Sequence, residues 1–453
     1  MAYQDLRDFL TALEETGDLL KVDEELSPRF EMSAALKLVN EGPAVLFENI
    51  QGYPGQRVVG NVLGHRRRVA MFMGVPEQEL TERFIDRKGQ ELAPKVVPEG
   101  PVKETVLTGR IDLPALLPAL TYHEKDAGPY MTSAITITKD PETGRQNMGL
   151  HRIQLKGGNR LGIFLANPPV ATFLERAERR GQGLEVAIAV GVDPAILIGA
   201  VVKGSAEGPD KLNVAGGIKG EPIELIKAET VDLLVPARAE IILEGRTIPN
   251  YREEEGPFGE STGHYFQNQS PVIEIQAVTH RRDFIYQAIQ VWGAEPEVLI
   301  ALGGSAEVIR QLKQMVPALQ AIHFAAGTCS FHAIAAVKGA PPAEVRRLMA
   351  LILNMDPRVK QITVVDDDVN IYDPKEVQWA LATRFQADRD MLLLTGIKGY
   401  VIDPSVGPDG ITSKLGFDAT KKGDDLTRFE KITIPEESLA RAAKVLKLAN
   451  SRF

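Results

Sequence analysis

Phe331-His-Ala-Ile-Ala-Ala-Val337, Pro342-Ala-Glu-Val-Arg-Arg-Leu-Met-Ala-Leu-Ile-Leu-Asn-Met355 and Gln361-Ile-Thr-Val-Val-Asp-Asp-Asp368 follow one another with only short breaks. The first and third are short apolar runs that read as buried strands, and the second has the apolar spacing of a helix. A further helical run, Lys375 to Phe385, comes next. This strand–helix–strand–helix rhythm builds a mixed or parallel sheet, so the chain from about residue 300 is predicted to be an α/β domain. The final helix, expected over Glu437 to Asn450, carries Leu439, Ala443, Val445 and Leu446 among charges. An amphipathic helix of that kind suits docking on a partner subunit.

Upstream the pattern changes. Short β-rich runs occupy Ala134–Asp140, Gly162–Asn167, Val186–Gly191, Ala239–Gly245, Val272–His280 and Asp283–Gly293. Turn signals such as Pro141-Glu-Thr-Gly144 and Gly157-Gly158 separate them. Many short strands at these intervals predict a barrel or packed sheet whose loops carry function. The first hundred residues read as a small α+β unit. Its first helix is marked by Leu6, Phe9, Leu10 and Leu13 and stopped at Gly17; a second runs through Met32 to Leu38, and a strand covers Ala44 to Ile50. A Pro- and Gly-bearing linker spans Val97 to Glu104. The expected organisation is therefore α/β (α+β overall) in three parts, 1–105, 106–300 and 301–453.

The chain has 453 residues, 44% of them apolar and 25% charged, which fits a multi-domain globular protein with a sizeable core. A formal charge of −9 argues against nucleic acid or an anionic membrane as the main partner. The basic run Arg66-Arg67-Arg68 is read as a solvated face. With one cysteine, Cys329, neither an intramolecular disulfide nor a cysteine zinc site can form. The opening residues lack the basic and apolar regions of a signal peptide. The most apolar stretch, Val186 to Val202, is broken by Gly191, Asp193 and Pro194, so it reads as strand, turn and helix start rather than a membrane span. The expectation is a soluble cytoplasmic protein.

Chemistry concentrates in three segments. Tyr251-Arg-Glu-Glu-Glu-Gly-Pro-Phe-Gly-Glu260 places Glu255 and Glu260 on either side of a Gly-Pro-Phe-Gly turn, which cannot be helix because Pro257 lacks the amide donor. It is either a rigid mount for two acids doing proton transfer or an acidic surface turn. Asn147-Met-Gly-Leu-His-Arg152-Ile-Gln154 reads as one strand, with Asn147, Gly149, His151 and Ile153 on one side and Met148, Leu150, Arg152 and Gln154 on the other. Its arginine suits either an anionic ligand or a structural ion pair. Gly410-Ile-Thr-Ser-Lys414-Leu-Gly-Phe-Asp418-Ala-Thr420 has the composition, though not the spacing, of a phosphate-binding loop. Asp366, Asp367 and Asp368 could attract magnesium, cap the next helix or simply face solvent. The seven histidines (65, 123, 151, 264, 280, 323 and 332) show no close ligand spacing, against a zinc hydrolase.

Together these segments resemble the UbiD-like decarboxylases. The likeness rests on Asn147-x-Gly-x-x-Arg152, on Glu255-Gly-Pro-Phe-Gly-Glu260 with Thr-Gly-His-Tyr265, on Val364-Val-Asp-Asp-Asp-Val-Asn370, and on Ser413-Lys-x-Gly-x-Asp-Ala-Thr420, in the family's order from about residue 100 to 425. It implies an N-terminal α/β region, a central flavin-binding split β-barrel and a C-terminal α/β domain that dimerises. It also implies prenylated FMN as cofactor, supplied by a separate UbiX-type flavin prenyltransferase. Loss of carbon dioxide from an sp2 carbon needs such an electron sink, because no side chain serves. Carried over, Arg152 would hold the substrate carboxylate and pair with Glu255, and Glu260 would be the general acid. Asn147, Leu150, His151, Arg152, Gln154, Lys211 and Lys414 would lie on the cofactor, with Leu165 and Phe417 lining the substrate slot. The substrate class is an aromatic, heteroaromatic or α,β-unsaturated acid.

One departure stands out. The family's divalent-ion site pairs the asparagine, here Asn147, with a histidine and a glutamate. Those positions fall at Pro168 or Pro169 and near Lys211, which puts Mn2+ or K+ binding in doubt. Two other readings are a carboxylate-pair hydrolase, disfavoured by a total of two tryptophans, and a non-catalytic flavin-binding assembly subunit, disfavoured by the retention of Arg152, Glu255 and Glu260 together.

Overall fold

The computed structural model describes residues 3–423 and 426–446. The first helix, Leu6–Glu15, buries Leu6, Phe9, Leu10 and Leu13, one apolar stripe at helical spacing. Asp5 caps its start by accepting from the Arg7 and Asp8 amides, and Gly17 ends it in the left-handed region at φ 75°. The second helix is Glu31–Val39. A four-stranded sheet has the order Leu19–Val22, Ala44–Phe47, Arg57–Gly60, Ile285–Ala288. The strand expected to reach Ile50 stops at Phe47, and Ile50 keeps only an isolated bridge to Leu26. The last strand of this sheet returns from far along the chain, pairing parallel with Arg57–Gly60.

The basic run divides. Arg68, read as solvated, is fully buried and donates to the carbonyls of Gly42, Asn61 and Val62. Fixed carbonyls around a planar guanidinium replace its water, so one donor from each of its three nitrogens is spent on holding a loop.

The centre is a nine-stranded antiparallel sheet. Its order is Tyr130–Met131, Ile153–Gly157, Arg160–Ile163, Tyr265–His280, Ile241–Gly259, Glu185–Val190, Ile135–Lys139, Gln146–Leu150, with Thr105–Thr108 added on Tyr265–His280. Gln146–Leu150 therefore stands at one edge, while Ile153–Gly157 is second from the other. Only His151 and Arg152 separate them in sequence. Two residues reach across roughly 11 Å between flanking Cα atoms, so the sheet must bend round until its two edges face each other across a narrow split. The segment expected to be one alternating strand is thus two strands, because at His151 the chain leaves one edge and joins the strand second from the other. Arg152 lies in the crossing.

The C-terminal part is a five-stranded sheet ordered Leu319–Phe324, His332–Val337, Gln361–Asp366, Ile411–Ala419, Met391–Lys398, with its inner pairings parallel. Helix Pro342–Met355 buries Val345, Leu348, Met349, Ile352 and Leu353 against it. The expected phosphate loop at Gly410–Thr420 is mostly the strand Ile411–Ala419. Its Lys414, Gly416 and Asp418 alternate inward, and the space over Gly416 is filled by Met349. Asp366 and Asp368 are spent on Arg384 at 3.2 and 2.9 Å, and Lys421 adds a second cation to Asp368 at 2.8 Å. The tail helix is Glu436–Val445 and buries none of its residues; residues 447–450 of the expected span lie outside the described residues. No described helix is long and apolar enough to cross a membrane.

Candidate active site

Arg152, held in the split, meets both acids of the long hairpin formed by Ile241–Gly259 and Tyr265–His280. Its Nε and Nη2 donate to the two oxygens of Glu255 at 3.1 and 2.7 Å, and its Nη1 donates to Glu260 Oε1. The ladder register shifts between Glu255 and Phe258, where Gly256-Pro257 interrupts it. A bulge of this kind re-aims the side chains beyond it, and here it lets two glutamates five residues apart converge on one guanidinium. Glu255 is fully buried and Glu260 nearly so. The guanidinium also packs against Phe164, Phe258 and Phe266, with ring centroids at 4.7, 5.0 and 5.3 Å. These faces exclude water while favouring the cation. One buried cation thus stands between two carboxylates.

Arg152 and Glu260 open onto a cavity of about 560 Å3, within the range of small-molecule and cofactor sites. Leu150, His151 and Lys211 line it as well. His151 sits against Gly149 so closely that a Cβ there would lie 2.6 Å from its ring. Burial, with the Lys211 charge adding to it, pushes the imidazole down to about 3, and its Nδ1 has no partner among the described residues. Lys211 is buried, donates from Nζ to the Ala200 carbonyl at 2.9 Å, and is pulled down to about 8 by desolvation.

Other expected site residues do not line the cavity. The Asn147 carboxamide is used by the backbone: its oxygen accepts from the Met148 and Lys211 amides, and its nitrogen donates to the Pro209 carbonyl. Gln154 is buried in the strand Ile153–Gly157 and does not line the cavity. Lys414 is taken up at the end of helix Pro342–Met355, donating to the carbonyls of Leu353, Asp356 and Pro357. Unsatisfied carbonyls at a helix C-terminus attract a cation, which draws Lys414 away from any phosphate in the cavity. Leu165 packs into the central core, and Phe417 stacks edge-on with Phe385 at 5.5 Å; neither lines the cavity.

The opposite wall escaped sequence reading. Cys329, Met355, Pro357, Arg358, Tyr400 and Ile402 come from the C-terminal part, and Lys203 comes from just beyond helix Pro194–Val201. Asp356 ties two of these cations together, at 3.1 Å from Lys203 and 2.8 Å from Arg358. Cys329 Sγ lies 3.1 Å from Ser261 Oγ, joining this wall to the residue after Glu260. None of these positions carries a spacing that marks it, since they meet only when two sheets do.

The chain matches three domains of one family: the N-terminal domain of 3-octaprenyl-4-hydroxybenzoate carboxy-lyase over residues 10–88, its Rift-related domain over 95–294 and its C-terminal domain over 297–419. This chain belongs to the UbiD family. It is a decarboxylase by that membership. The chain is 35% identical to the phenolic acid decarboxylase of Bacillus subtilis, covering 93% of each chain. It is 32% identical to the anhydromevalonate phosphate decarboxylase of Methanothermobacter thermautotrophicus, over 95% of this chain and all of that one. The UbiD-class enzyme HmfF from Pelotomaculum thermopropionicum, solved in complex with FMN, superposes with a TM-score of 0.93 at 37% identity, covering 97% of this chain and 99% of that one. An evolved dimeric form of HmfF has been solved with prenylated FMN, and it superposes at 0.88.

Proposed function

We propose that this UbiD-family chain removes carbon dioxide, reversibly and without net oxidation, from an aromatic, heteroaromatic or α,β-unsaturated carboxylic acid, using prenylated FMN held in the cavity. The observation that carries this is Arg152, fixed by Glu255 and bonded to Glu260 at the cavity wall. Two of its donors are committed to Glu255 and one Nη1 hydrogen to Glu260, which leaves the second Nη1 hydrogen for a single-armed contact with a substrate carboxylate. When bound, the flavin supplies the electron sink that an sp2 carbanion requires. As the carbon–carboxylate bond breaks, Glu260 delivers its proton to the carbon that carbon dioxide leaves, and it regains one before the next turnover. Leu150, Phe164, Ile289 and Val291 give the substrate an apolar, unsaturated-fitting surround. The cofactor is provided by a UbiX-type prenyltransferase, and the enzyme works as a soluble cytoplasmic homo-oligomer.

The test is to produce the chain together with such a prenyltransferase and record its absorbance. The loaded protein is then screened for carbon dioxide release from phenolic, acrylic and heteroaromatic acids. Turnover of at least one class, absent from protein made without the prenyltransferase, is the expected result. Flavin-loaded protein that releases carbon dioxide from none of them overturns the proposal.

A further inference from the structure

We infer that this chain holds its flavin phosphate without a divalent metal, with the Lys211 ammonium as counter-charge. This rests on the flavin reading above. A metal at this corner would need oxygen or imidazole ligands, and the residues present do not supply them. Among the described residues, no group of three or more His, Cys, Asp and Glu side chains could hold an ion. The Asn147 oxygen already accepts from two backbone amides. Pro168, which lines the cavity, and Pro169 offer no side-chain donor atom.

What does occupy the corner is an ammonium. A Cβ built on Gly204 would lie 3.1 Å from Lys211 Cε, 4.0 Å from Nζ and 3.9 Å from Pro169 Cδ. Lysine, glycine and proline thus meet at one place, where the missing glycine side chain lets the lysine stem lie close to the backbone. Among the described residues, Lys211 Nζ makes a single hydrogen bond, to Ala200, and so has two further N–H bonds to give. A buried ammonium with spare donors and no carboxylate partner among those residues calls for an anion, because desolvating either charge alone is costly. The same ammonium repels a cation from that spot.

The experiment compares FMN with riboflavin, which lacks only the phosphate. Binding of each to the whole, chelator-treated protein is followed by flavin fluorescence, and metal content is measured on the flavin-loaded protein. Lys211→Gln should weaken FMN about tenfold to a hundredfold, the scale of one charge-assisted hydrogen bond, while riboflavin binding is unchanged. Lys211→Arg should restore much of the FMN affinity, and metal should be substoichiometric. Stoichiometric metal, or FMN binding that chelation abolishes and manganese restores, overturns the inference. So does an equal loss for FMN and riboflavin in Lys211→Gln, which would make Lys211 structural. Wild-type protein that binds neither flavin sinks the functional reading itself, a distinct outcome.

Discussion

Glu260→Gln keeps the shape at the Arg152 arm and removes the transferable proton. Turnover should fall by about 10²- to 10⁴-fold, the usual contribution of a positioned general acid, with flavin binding retained. Steady-state rates and an absorbance spectrum on the same sample check both halves. His151 makes a second residue-scale prediction. Its folded value near 3 lies below the usual 6.5 because burial opposes the charged ring. Between those limits the unfolded chain binds the extra proton, so stability is full above pH 6.5 and declines as pH falls toward 3, by at most about 1.4 kcal/mol per pH unit. In the flavin-free protein, His151→Gln should flatten the fall in melting temperature from pH 7 to 5. A slope unchanged in the variant would show that the ring titrates normally.

At the scale of elements, helix Ala294–Leu299 is anchored by Glu295, whose carboxylate accepts from the Leu63 amide at 2.7 Å and lies near Arg68. Burial raises this acid to about 7, above the ordinary 4.5. The sign is opposite to that of His151. The folded state keeps a proton that the unfolded state gives up, so stability is full below pH 4.5 and is lost as pH rises through 7. Glu295→Gln should therefore gain stability relative to wild type on going from pH 5 to 8, read by denaturant midpoints at the two pH values.

Elements whose burial obeys a simple period were legible in the sequence: helix Pro342–Met355 has its expected bounds, and Val186–Val202 is strand, turn and helix as read. The long hairpin was not. Its stretch from Asn250 to Glu254 is exposed or half-buried and charged, so no apolar alternation marks it. Ile411–Ala419 was misread because glycine, serine and threonine suggest a loop until a helix is packed over them. Arg152, Glu255 and Glu260 were identified as a set by motif, whereas the wall built from Lys203, Arg358 and Tyr400 exists only in three dimensions.

At the scale of the whole molecule, the C-terminal end shows apolar side chains to water. Ile432 is fully exposed, Ile434, Val445 and Leu446 are mostly so, and the tail helix buries nothing. In the homo-oligomer proposed above, these side chains would be covered by a partner subunit. Light scattering at micromolar concentration should give a dimer or larger species, and substituting Ile434 and Val445 with lysine should shift it toward monomer. A wild-type protein that scatters only as a monomer would remove the oligomer from the proposal.

The two-residue crossing at His151 and Arg152 has a consequence for how such an enzyme can diversify. An inserted or deleted residue there would pull the two sheet edges apart or out of step, and with them the arginine that meets Glu255 from 103 positions away in the chain. The facing wall has no such constraint, since Cys329, Arg358 and Tyr400 stand on connections between elements. Loops can lengthen or shorten at little thermodynamic cost. The cavity therefore has one jaw whose length is locked and one that is free to drift, and new acids would be accommodated by remodelling the second while the first stays as it is.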